Sequence, residues 1–235
     1  MPTPVLEVCV QSPEDAVLAA AAGADRIELC EDLTCDGLTP RREWIEQVRS
    51  QLTIPVIVLI RCRDGGFVYN ANDRAVMLEQ ASVALAAGAD GIAIGACLAG
   101  GRLDGEFLRA VAQAVRAQRP QSQLVMHRAF DTLLDPDLAV RQLIDLGFDR
   151  ILTSGGAASA VQGVERLRTL QGRHGDRIEV LPAGGICSDN AAMILEATGC
   201  WQLHGSMRAI GSDHPCPAQI QRVRQVLARC VPTPS

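Results

Sequence analysis

The chain is poor in several things, and each shortage narrows what it can be. Aromatic residues make up only 3%, so no aromatic cluster marks a protein-binding hot spot. Positive charge is not in surplus: 22 basic residues face 27 acidic ones, a formal net charge of −5. A nucleic-acid partner would need a basic face and is not expected. No apolar run is long enough to span a bilayer, and no block of like charge reads as an interaction tail. Met1-Pro2-Thr3-Pro4 carries neither the basic nor the apolar region of a signal peptide, so the chain is expected in the cytoplasm. After the first apolar run, Cys9-Val10-Gln11-Ser12-Pro13 offers no Gly-x-Gly-x-x-Gly turn. That removes the doubly wound dinucleotide fold, and no organic cofactor is expected.

What is present is a large apolar fraction, 48% of 235 residues, ample for one sizeable core. Nine cysteines are many for a cytosolic chain, but the odd count in a long chain does not describe a disulfide framework. Most are expected to be reduced thiols packed as small hydrophobes.

The most informative feature is an internal echo. Ala22-Gly23-Ala24-Asp25-Arg26-Ile27-Glu28-Leu29 recurs as Ala87-Gly88-Ala89-Asp90-Gly91-Ile92-Ala93-Ile94. It returns as Leu146-Gly147-Phe148-Asp149-Arg150-Ile151-Leu152-Thr153 and, more faintly, as Thr198-Gly199-Cys200-Trp201-Gln202-Leu203. Each copy reads as a helix end, a left-handed glycine stop and a strand. The copies are roughly 50–65 residues apart, room for two βα units of about 30 residues each. Four such periods make eight units. The chain is therefore expected to be one α/β domain over residues 1–235, a (β/α)8 TIM barrel, with a loose tail at about 231–235. Helices are expected at Pro13 to Ala22, Arg41 to Gln51, Asn72 to Ala87, Asp104 to Arg119, Pro136 to Leu146, Ala160 to Gln171, Asp189 to Ala197 and Pro217 to Ala228.

In such a barrel the C-terminal strand ends form the functional face, and side chains alternate between interior and helix layer. With Leu6, Val8 and Val10 outward, Glu7 and Cys9 face in. By the same parity Glu28, Cys30, His127, Gln202, His204 and Ser206 face in. The mouth then gathers Glu7, Cys9, Glu28, Cys30, Arg61, His127 and His204, with Arg63, Arg128 and Asp131 just beyond. The bland alternative is a structural ion-pair layer, Glu7 and Glu28 against Arg61 and Arg128. Two glycine turns, Thr153-Ser154-Gly155-Gly156 and Pro182-Ala183-Gly184-Gly185, present backbone amides suited to an anion. Cys9 and Cys30 end adjacent strands, about 5 Å apart along the sheet. Two such thiolates suit a soft ion such as Cu(I) at low coordination number and do not match the C-x-x-C pairs of structural zinc.

Leu6-Glu7-Val8-Cys9-Val10, Gly23 to Cys30, Gly37-Leu38-Thr39-Pro40, His127-Arg128-Ala129-Phe130-Asp131 and Arg150 to Gly156 closely resemble the CutC family, named for copper homeostasis. The likeness runs from Leu6 to Ser206. It implies a cytosolic TIM barrel, a homo-oligomer with a dimer as the first expectation, and copper handling through Cu(I) held by cysteines. The chain departs from the family at Ile60-Arg61-Cys62-Arg63, where the third residue is typically proline, and at Ala183, where a third glycine is common.

Two functions stay open at this point. One is Cu(I) binding through Cys9 and Cys30. The other is an enzyme acting on a small phosphorylated or carboxylated metabolite. In it Arg61 and Arg128 clamp the anion with Ser154, Gly155, Gly184 and Gly185. Glu28 or His127 then moves a proton.

Overall fold

The computed structural model describes residues 3–209 and 211–229; the tail expected at 231–235 lies outside them. Eight strands are parallel: β1 Val5–Val10, β2 Arg26–Leu29, β3 Val56–Ile60, β4 Gly91–Ile94, β5 Gln123–Met126, β6 Arg150–Thr153, β7 Glu179–Pro182 and β8 Gln202–Gly205. They follow one another round the sheet in the order β8-β1-β2-β3-β4-β5-β6-β7. β7 and β8 meet to close the ring, although no hydrogen-bonded ladder joins them. The helices are α1 Pro13–Ala21, α2 Arg42–Gln51, α3 Ala71–Ala86, α4 Gly105–Gln118, α5 Pro136–Asp145, α6 Val164–His174, α7 Ala191–Thr198 and α8 Pro217–Arg229. This is the expected (β/α)8 barrel.

Local chemistry sets the element ends. Ser12 accepts from the Asp15 amide and Pro13 opens α1, while Asn70 and Asp73 cap each other's backbone at the start of α3. The repeated glycines stop their helices in the left-handed region, with φ of 109° at Gly23, 100° at Gly88 and 76° at Gly147.

The aspartate of each of the first three copies has a definite task. Asp25 accepts from the Leu6 amide at 2.7 Å, Asp90 from Val56 at 2.9 Å and Asp149 from Leu124 at 2.7 Å. Each carboxylate ties a strand entrance to its neighbour, and Arg224, Arg49 and Arg116 pair with the three in turn. The echo is a staple on the N-terminal rim of the barrel.

Four local features differ from expectation. α6 begins at Val164, not near Ala160. Gly155 and Gly163 pack backbone to backbone there, and a Cβ on Gly163 would sit 1.8 Å from the Ser154 carbonyl oxygen, so the preceding residues must loop. α7 begins at Ala191 rather than Asp189. Beyond β4, Cys97–Leu98 and Arg102–Leu103 form a small antiparallel ribbon, and the His127 segment continues as a 3-10 turn, Arg128–Thr132.

Two cores result. The larger lies between strands and helices, with Leu6, Ile27, Ile60, Leu108 and Leu124 fully buried. Each such side chain contributes about 1.5–3 kcal/mol. The smaller fills the barrel with Ile57, Leu59, Ala93, Val125, Leu152 and Leu181, and Cys9 and Cys30 belong to it.

Candidate functional site

The barrel interior is polar at both ends. At the N-terminal end Arg150 donates to Glu179 at 2.8 Å and to Gln123 at 3.0 Å. Gln202 bridges Glu179 at 3.2 Å and Arg26 at 2.8 Å, and Arg26 pairs with Glu7. The carboxylate of Glu7 also accepts from His204 Nδ1 at 2.7 Å. One hydrogen-bonded chain thus runs from the barrel floor up to the mouth. The ion-pair layer of Glu7 and Glu28 with Arg61 and Arg128 is not what forms: Glu7 takes Arg26 and His204 instead. Register explains it, because Glu7 stands opposite both Arg26 on β2 and His204 on β8.

At the mouth is a cavity of about 410 Å³. Cys9, Glu28, Arg61, His127, Arg128, Asp131, Gly184, Gly185 and His204 line it, joined by Phe67, Ser206 and Arg208. The inward parity read from the sequence holds for Cys9, Glu28, His127 and His204. Glu7 lies beneath the cavity, and Cys30 is fully buried behind Cys9. Arg63 turns away to Asp73 at 3.0 Å and packs on Tyr69. Cys62 is half-buried and does not line the cavity.

The wall from β1, β2 and β8 is a tight titratable cluster. A sulfur of Cys9, a carboxylate oxygen of Glu28 and a ring nitrogen of His204 all lie within 4.8 Å of one another. Cys30 Sγ is 3.7 Å from Cys9 Sγ and donates to the Val10 carbonyl at 3.2 Å. Burial alone would raise the Glu7 pKa, but Arg26 and His204 hold its carboxyl well below the usual range. Burial would lower the His204 imidazole's; Glu28, Cys9 and Glu7 lift it well above the ordinary value instead. Burial raises Glu28. The Cys30 contact, burial and the Glu28 charge push the Cys9 thiol well up.

The wall from β3 and β5 is different. Arg61 is 5% exposed, and its guanidinium donates to the carbonyls of Cys35 at 2.5 Å, Gly37 at 2.9 Å and Gly65 at 2.9 Å. Beside it His127 is 4% exposed, and its Nδ1 accepts from the Ala129 amide at 3.1 Å. Burial and the Arg61 charge lower the His127 pKa to about 3. Gly95 seats this ring: a Cβ there would lie 2.7 Å from His127 Cε1. No motif in the sequence singled out Gly95 or Phe67.

Asp131 makes use of the first glycine turn. Its carboxylate accepts from Thr153 Oγ1, from the Ser154 amide at 3.1 Å and hydroxyl at 3.0 Å, and from the Gly156 amide at 3.0 Å. It also holds Arg128 Nε at 2.9 Å, while Arg128 Nη2 donates to Ser154 Oγ at 3.0 Å. The amides expected to cradle a foreign anion after β6 therefore already cradle this one. The Gly184-Gly185 turn, with φ of 96° and 72°, faces the cavity.

All 22 basic residues are arginine. No lysine amine is available for a Schiff base, one common route of covalent catalysis.

Fold and mouth together define a (β/α)8 barrel with a titratable cavity at the C-terminal ends of its strands. Within that class, the chain belongs to the CutC family, whose model matches residues 4–209. A copper homeostasis protein cutC homolog of Homo sapiens is 40% identical over 205 residues, covering 87% of this chain and 74% of that protein. The family protein CutC of Caulobacter vibrioides is 39% identical over 202 residues, covering 86% and 80%. A solved structure of a candidate copper homeostasis protein CutC from Streptococcus agalactiae superposes with a TM-score of 0.77 at 30% identity. It covers 86% of this chain and 98% of that one.

Proposed function

We propose that the protein binds Cu(I) at the barrel mouth as its part in copper homeostasis, with Cys9 and Cys30 as sulfur ligands and His204 beside them. The observation that carries this reading is the meeting of Cys9, Glu28 and His204 within 4.8 Å, with a second sulfur 3.7 Å from the first. Soft thiolate sulfur selects Cu(I), and imidazole suits copper as well. The set fits in a further respect: Glu7 accepts from His204 Nδ1 and so orients Nε2 towards the cluster. A carboxylate behind a histidine serves metal ligands in this way. Copper would take the places of the thiol protons and of any proton on Nε2, so binding releases protons. The reading places this work in the cytoplasm, where thiols stay reduced.

The test is an anaerobic Cu(I) titration of the wild type and of a Cys9→Ser, Cys30→Ser variant against a competing chelator. The wild type is expected to take one Cu(I) per chain, and the variant to lose affinity by about tenfold or more for the displaced ligands. Equal affinity in the two proteins would remove these cysteines from the site.

A further inference from the structure

The opposite wall of the same cavity has its own unmet need. Arg61 is almost wholly buried, yet no carboxylate lies within salt-bridge distance of it among the described residues; its three partners are neutral carbonyls. A buried charge without a counter-charge is costly, and its Nε makes no hydrogen bond at all. His127 has the matching deficit. Because Nδ1 accepts from the Ala129 amide, the single proton of the neutral ring sits on Nε2, and Nε2 is also buried without a partner. An unmade hydrogen bond in such a place leaves the full desolvation penalty of the buried group uncompensated. Two donors, one charged, both unsatisfied and both on residues that line the cavity, are what a missing acceptor leaves behind.

We propose that this wall is an oxyanion site: a small organic anion, carboxylate or phosphate, places its oxygens against Arg61 and the Nε2–H of His127. Arg128 completes the receptor from the rim. Asp131 and Ser154 occupy its Nε and Nη2 and hold the guanidinium in place. The amides of Gly184 and Gly185 make no hydrogen bond within the described protein and serve the same anion from β7. A cavity of about 410 Å³ is at the small end for ligand sites, so the anion carries a short skeleton. His127 is a donor here and not a proton shuttle, a role open to a neutral imidazole that polarises a carbonyl or receives an anionic oxygen. The site needs no metal, so its failure and that of the copper reading are separate results.

The experiment titrates metal-free full-length protein with inorganic phosphate and, separately, with oxalate, by calorimetry and by ¹⁵N-edited NMR of the histidine rings. Saturable binding of one anion per chain is expected from at least one probe, with the His127 Nε2–H signal present beforehand and moving on binding. Preference between the probes assigns the headgroup as phosphate or carboxylate. Arg61→Met is expected to weaken binding by about tenfold to a hundredfold, the range for a charged hydrogen bond. His127→Leu should cost about tenfold. Should Arg61→Met fail to fold, the wild-type NMR signal still decides. The proposal is overturned if neither probe binds saturably, if the ring carries its proton on Nδ1, or if binding leaves the His127 signals unmoved.

Discussion

Acid should unfold this protein partly through one residue, and the size of that effect follows from the mouth. In an unfolded chain His127 takes up a proton near pH 6.5. In the fold, burial and the Arg61 charge delay protonation to about pH 3. Between those two values the unfolded state holds the extra proton, so stability falls as pH falls; the native contribution is whole above about pH 6.5. At about pH 4.5 the unfolded ring is two units below its own pKa while the native ring is still neutral. Each unit is about 1.4 kcal/mol, so the deficit there is about 3 kcal/mol. The carboxylates that titrate over the same range would hide this in the wild type alone. They cancel in the difference between wild type and His127→Leu. Urea unfolding of both at about pH 7.5 and about pH 4.5 should show the wild type losing about 3 kcal/mol more than the variant. Parallel losses would mean that His127 titrates normally, and the account of a neutral, buried ring would fall.

Two further substitutions test the supports of the site. Gly95→Ala brings a methyl within 2.7 Å of His127 Cε1 and 3.0 Å of Ala129 Cβ; it should cost about 1–3 kcal/mol by overpacking and shift the His127 ring signals in NMR. Asp131→Asn replaces acceptor-only oxygens that serve Thr153, Ser154, Gly156 and Arg128. It should lower stability by about 2–3 kcal/mol in urea unfolding, and an unchanged midpoint would show that the turn is held by its backbone alone.

The barrel was legible because two regularities in the sequence have direct physical causes. Strand parity places Glu7, Cys9, Glu28, His127 and His204 inward whatever the loops do. The Gly-x-Asp echo marks where a helix must stop and where a strand entrance needs an acceptor. What escaped was chemistry that depends on which chain segments meet. Arg26 shares the parity of Glu28 and Cys30, so its inward direction follows from the strand, but its pairing with Glu7 depends on the register between β1 and β2. Asp131 gives no sign in the sequence that it crosses to the β6 turn and takes the amides of Ser154 and Gly156, beside glycines of positive φ. The state of His127 rests on burial, on the Arg61 charge and on an amide two residues away in a 3-10 turn; Phe67, 5.2 Å off between ring centres, arrives on a loop with no helical or strand period to betray it.

The chain of Gln123, Arg150, Glu179, Gln202, Arg26 and Glu7 has a consequence for traffic. It corks the lower end of the barrel with side chains that are hydrogen-bonded to one another, so nothing in the mouth cavity leaves through the floor. On the two readings proposed above, an ion at Cys9, Glu28 and His204 and an anion at Arg61 and His127 would share this one cavity, so an occupant of one wall crowds the approach to the other without touching its ligands.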